Sequence, residues 1–414
     1  MSAPANASGD GRSRSSEPSA LLESGALLHP LSPHHPSYID LIRYLYRISG
    51  AADLPAPRDG EHRIAGFVGV PRHIVFVLVD GMGLNTGDHF PRGGFLDHGF
   101  ACEMRALFPS TTTAVLTSTA TGLWPAENGI TGWWTCLPEY DWVVLPLPFV
   151  ERESEEPLSQ LGIEYGDLVA HPPLLESLDR EACSFVPTHI AGGVFTAWAR
   201  GGRPIADFGA LGELGRKVHD FIHSTAGRPT FSNIYMSVVD TLSHKHGYKA
   251  REVGEAIRRI DRFLDRLAGE LPSDARLVVT ADHGQVVVDD RRHTTIDRNS
   301  ELMRYLEYPP SGEATVPVFH VKSGLEDEFA DAFAASEAGS SFTLLESERA
   351  GALELFGPTP FSDAMRRRLG TYIGIATEAA LLDYVAAGRQ QLSVRGAHGG
   401  LRADEMRIGL FVSS

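Results

Sequence analysis

Cysteine is scarce: three in 414 residues, Cys102, Cys136 and Cys183, far apart and with no Cys-x-x-Cys pair. That spacing excludes a disulfide framework and a thiolate metal site, and it points to a reducing compartment. Basic residues are in deficit, 37 Lys and Arg against 53 Asp and Glu, for a formal charge of −16. A chain this acidic lacks the clustered cations that track a nucleic-acid backbone, so no nucleic-acid polymer is expected as a partner. No run of about 18 consecutive apolar residues occurs, so no transmembrane helix and no membrane partner are expected. Residues 1–36, rich in Ser, Ala, Gly and Pro, lack the continuous apolar run of a secretory signal and read as a disordered tail. A cytoplasmic location is the corresponding expectation. The chain also lacks a Gly-x-x-x-x-Gly-Lys phosphate loop, a dinucleotide-binding fingerprint and any fixed-period repeat.

What is there is ample core-forming material, 43 % hydrophobic residues with 22 % charged, enough for one large domain with an insertion or for two domains. Tyr38 to Ile48 has the spacing of a short amphipathic helix, followed by a Pro- and Gly-containing link over 54–71. From His73 to Val79 the chain is almost uniformly apolar and then stops abruptly at Asp80-Gly81-Met82-Gly83. A strand buried on both faces of a parallel sheet has this appearance. The same punctuation returns at Phe231 to Asp240, followed by His244, His246 and Gly247, and at Arg276 to Asp282, followed by His283 and Gly284. Between those two runs, Val253, Ala256, Ile257, Ile260, Phe263, Leu264 and Leu267 keep helical spacing, and Pro272 follows. Strand, amphipathic helix and strand make a crossover unit of a parallel sheet. Residues 290–390 depart from this alternation, with a strand predicted over 315–321 and helices around 325–336, 362–368 and 375–387. They read as a smaller α+β insertion that caps the core, which comprises 37–289 and 391–414. A last apolar strand is expected near Met406 to Val412.

Three carboxylates, Asp80, Asp240 and Asp282, thus fall at the C-terminal ends of predicted strands, the edge at which open α/β sheets bind ligands. Brought together without compensation they would repel one another, and divalent cations resolve that. His244 and His283 accompany two of them, and His398 sits in the glycine-rich Arg395-Gly-Ala-His-Gly-Gly turn. Carboxylate and imidazole without thiolate suit zinc, or manganese or iron, and six side chains suffice for two sites of three ligands. Four hydroxyls, Ser110, Thr111, Thr112 and Thr113, follow Pro109 where a helix is predicted to start, a place that favours an anion. Two metals close together assist both the attacking and the leaving oxygen of an in-line displacement at phosphorus, which gives that hydroxyl cluster a role.

The succession Asp-Gly-Met-Gly after a strand, Phe-Pro-Ser-x-Thr, Thr-Gly-Leu-x-Pro-x-x-x-Gly-Ile, Asp-x-x-x-His-x-x-Gly, Asp-His-Gly and Gly-x-His-Gly resembles the alkaline phosphatase superfamily. The similarity is to its type I phosphodiesterase and nucleotide pyrophosphatase branch, over roughly 72–414. The resemblance implies an alkaline-phosphatase-like α/β fold, a mostly parallel sheet sandwiched by helices. It implies Thr112 as nucleophile and a covalent phospho-threonine intermediate. Asp80, Asp282 and His283, with the Thr112 oxygen, would hold one metal ion; Asp240, His244 and His398 would hold the other. The substrate class implied is a small phosphate ester, most directly a phosphodiester or nucleotide pyrophosphate. Alternatives are a phosphomonoester or phosphonate on the same scaffold, and a non-catalytic binding protein. One departure concerns substrate orientation. Nucleotide-cleaving members carry an asparagine about twenty residues after the nucleophile, where this chain reads Gly129 to Thr135 without one, and Asn128 falls before that step. Trp133, Trp134 and Tyr140 are aromatic candidates for stacking or for loop packing, and Arg291, Arg292 and His293 are candidates for reaching an anion or for a solvated turn.

Overall fold

Seven strands form the central sheet of the computed structural model, which describes residues 18–413. They are β1 (His73–Val79), β2 (Phe100–Arg105), β3 (Glu181–Pro187), β4 (Ile205–Phe208), β5 (Thr230–Met236), β6 (Ala275–Thr280) and β7 (Arg407–Val412), in the order β2-β7-β6-β1-β5-β3-β4. The pairs β6-β1, β1-β5, β5-β3 and β3-β4 are parallel, while β7 runs antiparallel to both β6 and β2. Every residue of β1 is buried, because helices cover both faces of the sheet at its centre. Helix α3 (Arg251–Glu270) makes the crossover from β5 to β6 and buries Val253, Ile257, Ile260, Leu264 and Leu267 along one stripe. Each of those large side chains contributes about 1.5–3 kcal/mol relative to exposure.

Strand β5 ends four residues earlier than its apolar run predicts. Asp240 does not close the strand; it lies in helix α2 (Val238–His246). The cause is a close backbone approach. Gly81 has φ +73°, and a Cβ there would sit 2.8 Å from the Asp240 Cα. This lets the Asp240 N–H donate to the Asp80 carbonyl at 3.0 Å, which draws the chain off the sheet. On the helix, Asp240 and His244 are one turn apart and share a face.

The insertion contains a four-stranded antiparallel sheet of Ser311–Glu313, Val316–Phe319, Tyr372–Ala376 and Phe342–Glu346, with helices at Glu326–Ala335 and Asp363–Arg368. One face, with Val316, Val318, Ile373 and Ile375, joins the main core, and Phe319, Phe329 and Phe333 form a second cluster. The helix predicted over 375–387 is instead the end of strand Tyr372–Ala376 and a further strand, Leu381–Tyr384. Tyr372–Ala376 pairs with Phe342–Glu346 over its whole length and is buried on both faces, so its apolar density carries no helical stripe. A small sheet of Thr135–Leu137, Trp142–Leu145 and Val150–Glu151, which the sequence did not announce, is tied to the insertion by reciprocal backbone hydrogen bonds between Trp134 and Gly312.

The expectation of a disordered tail over 1–36 fails at 18–36. Residues 18–36 begin with a helix, Pro18–Glu23, and pack on the core: Leu27 is buried, Leu21, Leu22 and Leu28 lie against the same cluster, and the Leu28 N–H donates to Leu401. Enough leucine is present to outweigh the turn-rich composition. The remainder of the expected tail, 1–17, lies outside the described residues. No helix among the described residues is long and apolar enough to cross a membrane, and the three cysteines are unpaired thiols.

Candidate active site

Five segments meet at the C-terminal edge of the sheet. The turn after β1 delivers Asp80, helix α1 (Thr112–Thr121) delivers Thr112 at its first position, α2 delivers Asp240 and His244, the turn after β6 delivers Asp282 and His283, and the glycine turn before β7 delivers His398. Glycine permits this density. A Cβ on Gly83 would lie 2.4 Å from the Gly284 Cα, so the Asp-Gly-Met-Gly and Asp-His-Gly turns touch backbone to backbone. Helix α1 is rich in threonine yet buried, because Thr117, Thr119 and Thr121 return their hydroxyls to carbonyls one turn back.

The distances define two groups sharing one carboxylate. The Thr112 hydroxyl lies 3.4 Å from both Asp80 carboxylate oxygens and 3.3 Å from His283 Nε2. His283 Nε2 is 3.5 Å from Asp80 and 3.4 Å from Asp282 Oδ2. On the other side, Asp240 Oδ1 is 3.2 Å from His244 Nε2 and 3.6 Å from His398 Nε2. Ligand atoms of Asp240, His244 and His398 lie within 4.8 Å of one another, as do those of Asp80, Asp240 and His283. The second set adds Asp240 to Asp80 and His283, and Asp282 Oδ2 lies against the same His283 Nε2. Asp282 spends Oδ1 on the N–H groups of Gly81 and His283 and leaves Oδ2 buried with no hydrogen-bond partner. His246, the other imidazole of the α2 motif, is exposed and joins neither group.

The imidazoles are fixed in one orientation. Nδ1 of His244, His283 and His398 each lies 2.8–3.0 Å from a backbone carbonyl, of Gly396, Gly284 and Ser110 respectively. A carbonyl only accepts, so each Nδ1 carries the proton and each Nε2 presents a lone pair inward. That is the arrangement of histidines that bind metal through Nε2. Burial raises the Asp80 carboxyl well above its usual range, and Asp240 and Asp282 push it further. Burial acts the same way on Asp240, but His244, and then His398 and His283, hold it far below. Burial and the neighbouring His283 push His398 well down. Among the described residues no Lys or Arg pairs with the three aspartates; imidazole nitrogens are the groups that lie within ion-pair distance of them. Three clustered carboxylates, three inward lone pairs and an orphaned buried Asp282 oxygen form a donor set that fits two divalent cations of the zinc, manganese or iron type.

Several residues at the site had no sequence signal strong enough to select them. Tyr235, five residues before Asp240, donates its phenol to Asp80 Oδ2. Gln285, next to the Asp-His-Gly turn, donates to Asp240 Oδ1 at 2.5 Å. Ser110 clasps the His398 turn, its hydroxyl donating to the Gly400 carbonyl and its N–H to Gly399. Glu313 comes from the insertion. Its carboxylate accepts the Trp133 N–H at 2.6 Å, and burial raises its pKa to about 7. A cavity of about 270 Å³ opens beside Thr112, His244 and His398, walled by Trp133, Trp134, Glu313, Leu381, Leu392 and Val394.

The remaining sequence candidates are structural. Asn128 bonds Ser118 and the Ile130 N–H within its turn. Tyr140 stacks on Trp142 away from the cavity. Arg291 pairs with Asp289 and Arg292 with Glu378, and neither they nor His293 line the cavity.

Residues 75–341 match the family model for type I phosphodiesterase / nucleotide pyrophosphatase. Solved structures with the same fold include murine ectonucleotide pyrophosphatase / phosphodiesterase 5, at a TM-score of 0.60 and 16% identity over 82% of this chain and 87% of that one. An inactive variant of the murine protein, solved with AMP, aligns equally well, at a TM-score of 0.60 and 17% identity over the same shares of the two chains. Phosphonoacetate hydrolase from Sinorhizobium meliloti 1021, in complex with phosphonoformate, has a TM-score of 0.56 and 17% identity over 83% of this chain and 90% of that one. No curated protein matches the chain.

Proposed function

The chain belongs to the type I phosphodiesterase / nucleotide pyrophosphatase family and is on that ground a phosphoester hydrolase, and we propose that it cleaves small phosphodiesters through a phospho-threonine intermediate on Thr112. The observation that carries this reading is the position of the Thr112 hydroxyl, at the start of helix α1 and within 3.4 Å of Asp80 and His283. Asp240, His244 and His398 would hold one divalent cation; Asp80, His283 and Thr112, with Asp240 or the free oxygen of Asp282, would hold the other. Such cations supply positive charge to the phosphate oxygens and lower the pKa of a hydroxyl or water.

The chain's own residues supply the rest. Thr112 Oγ attacks phosphorus as the bond to the departing alcohol breaks, and water then cleaves the Thr112 ester, releasing the phosphate product and restoring the hydroxyl. The Asp80 carboxylate, 3.4 Å from the Thr112 hydroxyl, is the acceptor placed for its proton, since the His283 Nε2 lone pair would be committed to the cation. The first turn of α1, whose N-cap Thr111 makes no side-chain capping bond, would offer its N–H groups to the attacked phosphate. Tyr235 and Gln285 hold Asp80 and Asp240 in orientation through the hydrogen bonds given above. Diester rather than monoester chemistry is favoured because no Lys or Arg lines the cavity to match a second phosphate charge.

The test compares bis-(p-nitrophenyl) phosphate with p-nitrophenyl phosphate, using zinc- or manganese-loaded protein and a Thr112→Ala control. A diester preference abolished in the variant supports the reading. A monoester preference moves the assignment to a phosphatase, and undiminished turnover by Thr112→Ala removes Thr112 from the chemistry.

A further inference from the structure

Beyond the end of the cavity formed by Thr111, Thr112, Asp240, His244 and His398, its wall is apolar except for one carboxylate. Glu313, 7 % exposed, lies against the His398 turn: a Cβ on Gly399 would come within 2.8 Å of the Glu313 Cβ. Its orientation is set by the Trp133 N–H, at 2.6 Å. No Lys or Arg pairs with it among the described residues, and none lines the cavity. Two indoles, Trp133 and Trp134, share the wall with aliphatic Leu381, Leu392 and Val394. Trp134 already receives a cation on its ring, since the Arg152 guanidinium lies 4.4 Å from the ring centroid.

A buried carboxylate in an apolar chamber is costly unless positive charge comes to it. At the metal end, three aspartates and a singly charged diester together match two divalent cations, which leaves Glu313 as surplus negative charge. A second phosphate or a carboxylate on the substrate would be repelled there. A neutral group would gain nothing from the carboxylate. A small cation with an apolar surface satisfies the carboxylate, the indole faces and the aliphatic wall together.

Building on the phosphodiesterase reading, we propose that Glu313 determines specificity, and that the cavity takes the ester group of a phosphodiester bearing an alkylammonium or quaternary ammonium centre.

The experiment isolates charge from shape. The metal-loaded enzyme is assayed for release of p-nitrophenolate from p-nitrophenyl phosphocholine and from p-nitrophenyl 3,3-dimethylbutyl phosphate, its neutral carbon isostere, with bis-(p-nitrophenyl) phosphate in parallel. The expected kcat/KM ratio favours the ammonium ester by about tenfold or more, and Glu313→Gln brings the ratio to within about twofold of unity. Trp133→Leu, whose backbone N–H still anchors Glu313, is expected to lower the ratio in part, and it serves where Glu313→Gln fails to fold. A wild-type ratio at or below unity, alongside turnover of bis-(p-nitrophenyl) phosphate, overturns this inference alone. A preference that survives Glu313→Gln unchanged also overturns it. Failure to turn over any of the three esters overturns the phosphodiesterase reading, and this inference with it.

Discussion

Nε2 of His244 and Nε2 of His398 face each other at 3.1 Å, although both rings have committed their Nδ1 protons to backbone carbonyls. Two bare lone pairs at that separation repel; a shared proton or a shared cation removes the conflict. Asp240, within 3.6 Å of both, favours either positive species.

Metal and proton therefore compete for these rings, and metal binding should raise thermal stability by mass action. Thermal melts with zinc or manganese are expected to show a concentration-dependent rise in Tm that chelator reverses and that weakens on acidification, as His244, whose pKa burial lowers but Asp240 raises overall, takes up a proton. Asp240→Asn, which touches both groups, should remove most of the rise. A Tm indifferent to metal and chelator in the wild type would refute the metal assignment.

Tyr235 acts through Asp80 rather than on a substrate. Tyr235→Phe keeps the ring and deletes the phenol that donates to Asp80 Oδ2. A loss of about 10- to 100-fold in metal affinity or kcat is expected, with little change in Tm. Isothermal titration with zinc and steady-state kinetics measure both, and wild-type values for each would show the phenol to be idle.

Gly81→Ala tests the backbone contact that places Asp240. The substitution forces an L side chain to φ +73° and drives its Cβ to 2.8 Å from the Asp240 Cα, where backbone is the neighbour and cannot rotate away. Urea unfolding should show a loss of more than about 1 kcal/mol, accompanied by reduced metal content per chain. A variant of wild-type stability would mean that the two turns have slack between them.

The pH dependence of stability has a marker far from the site. His320, buried beside the Arg368 carbonyl, has its pKa lowered from 6.5 to about 4 by burial. Its folded value lies below its unfolded one, so the neutral ring stabilises the fold fully above pH 6.5, and that contribution is lost as pH falls through 4. The full window is worth on the order of 3 kcal/mol. His320→Leu should therefore flatten the fall in urea midpoint between pH 6.5 and 4 relative to wild type, and parallel curves would place the acid sensitivity elsewhere.

Much of this protein is local in origin. An apolar run too uniform for an exposed strand, ending at Asp80, announces β1 because backbone buried on both faces admits no polar side chain. The heptad-like spacing from Val253 to Leu267 announces α3 for the same reason on one stripe. Short motifs, all but the Phe-Pro-Ser-x-Thr run carrying a glycine, marked Asp80, Thr112, Asp240, His244, Asp282, His283 and His398, and the fold gathers all seven at one sheet edge. What those motifs do not carry is anything decided by contacts distant in sequence. Asp240 sits on a helix rather than a strand end because Gly81, 159 positions earlier, lets it bond to Asp80. Residues 375–376 are strand because Phe342–Glu346 is there to pair with them, and 381–384 because His293–Ile296 is. Glu313 reaches the site only through the threading of the insertion against the His398 turn, and no local pattern in Ser-Gly-Glu-Ala-Thr distinguishes it from a surface carboxylate. Sequence determined which groups are available to meet at the sheet edge, because metal ligands and a nucleophile demand particular side chains at short spacing. Tertiary structure decided how they are shared, oriented and walled, because burial and charge compensation are properties of neighbours brought together from afar.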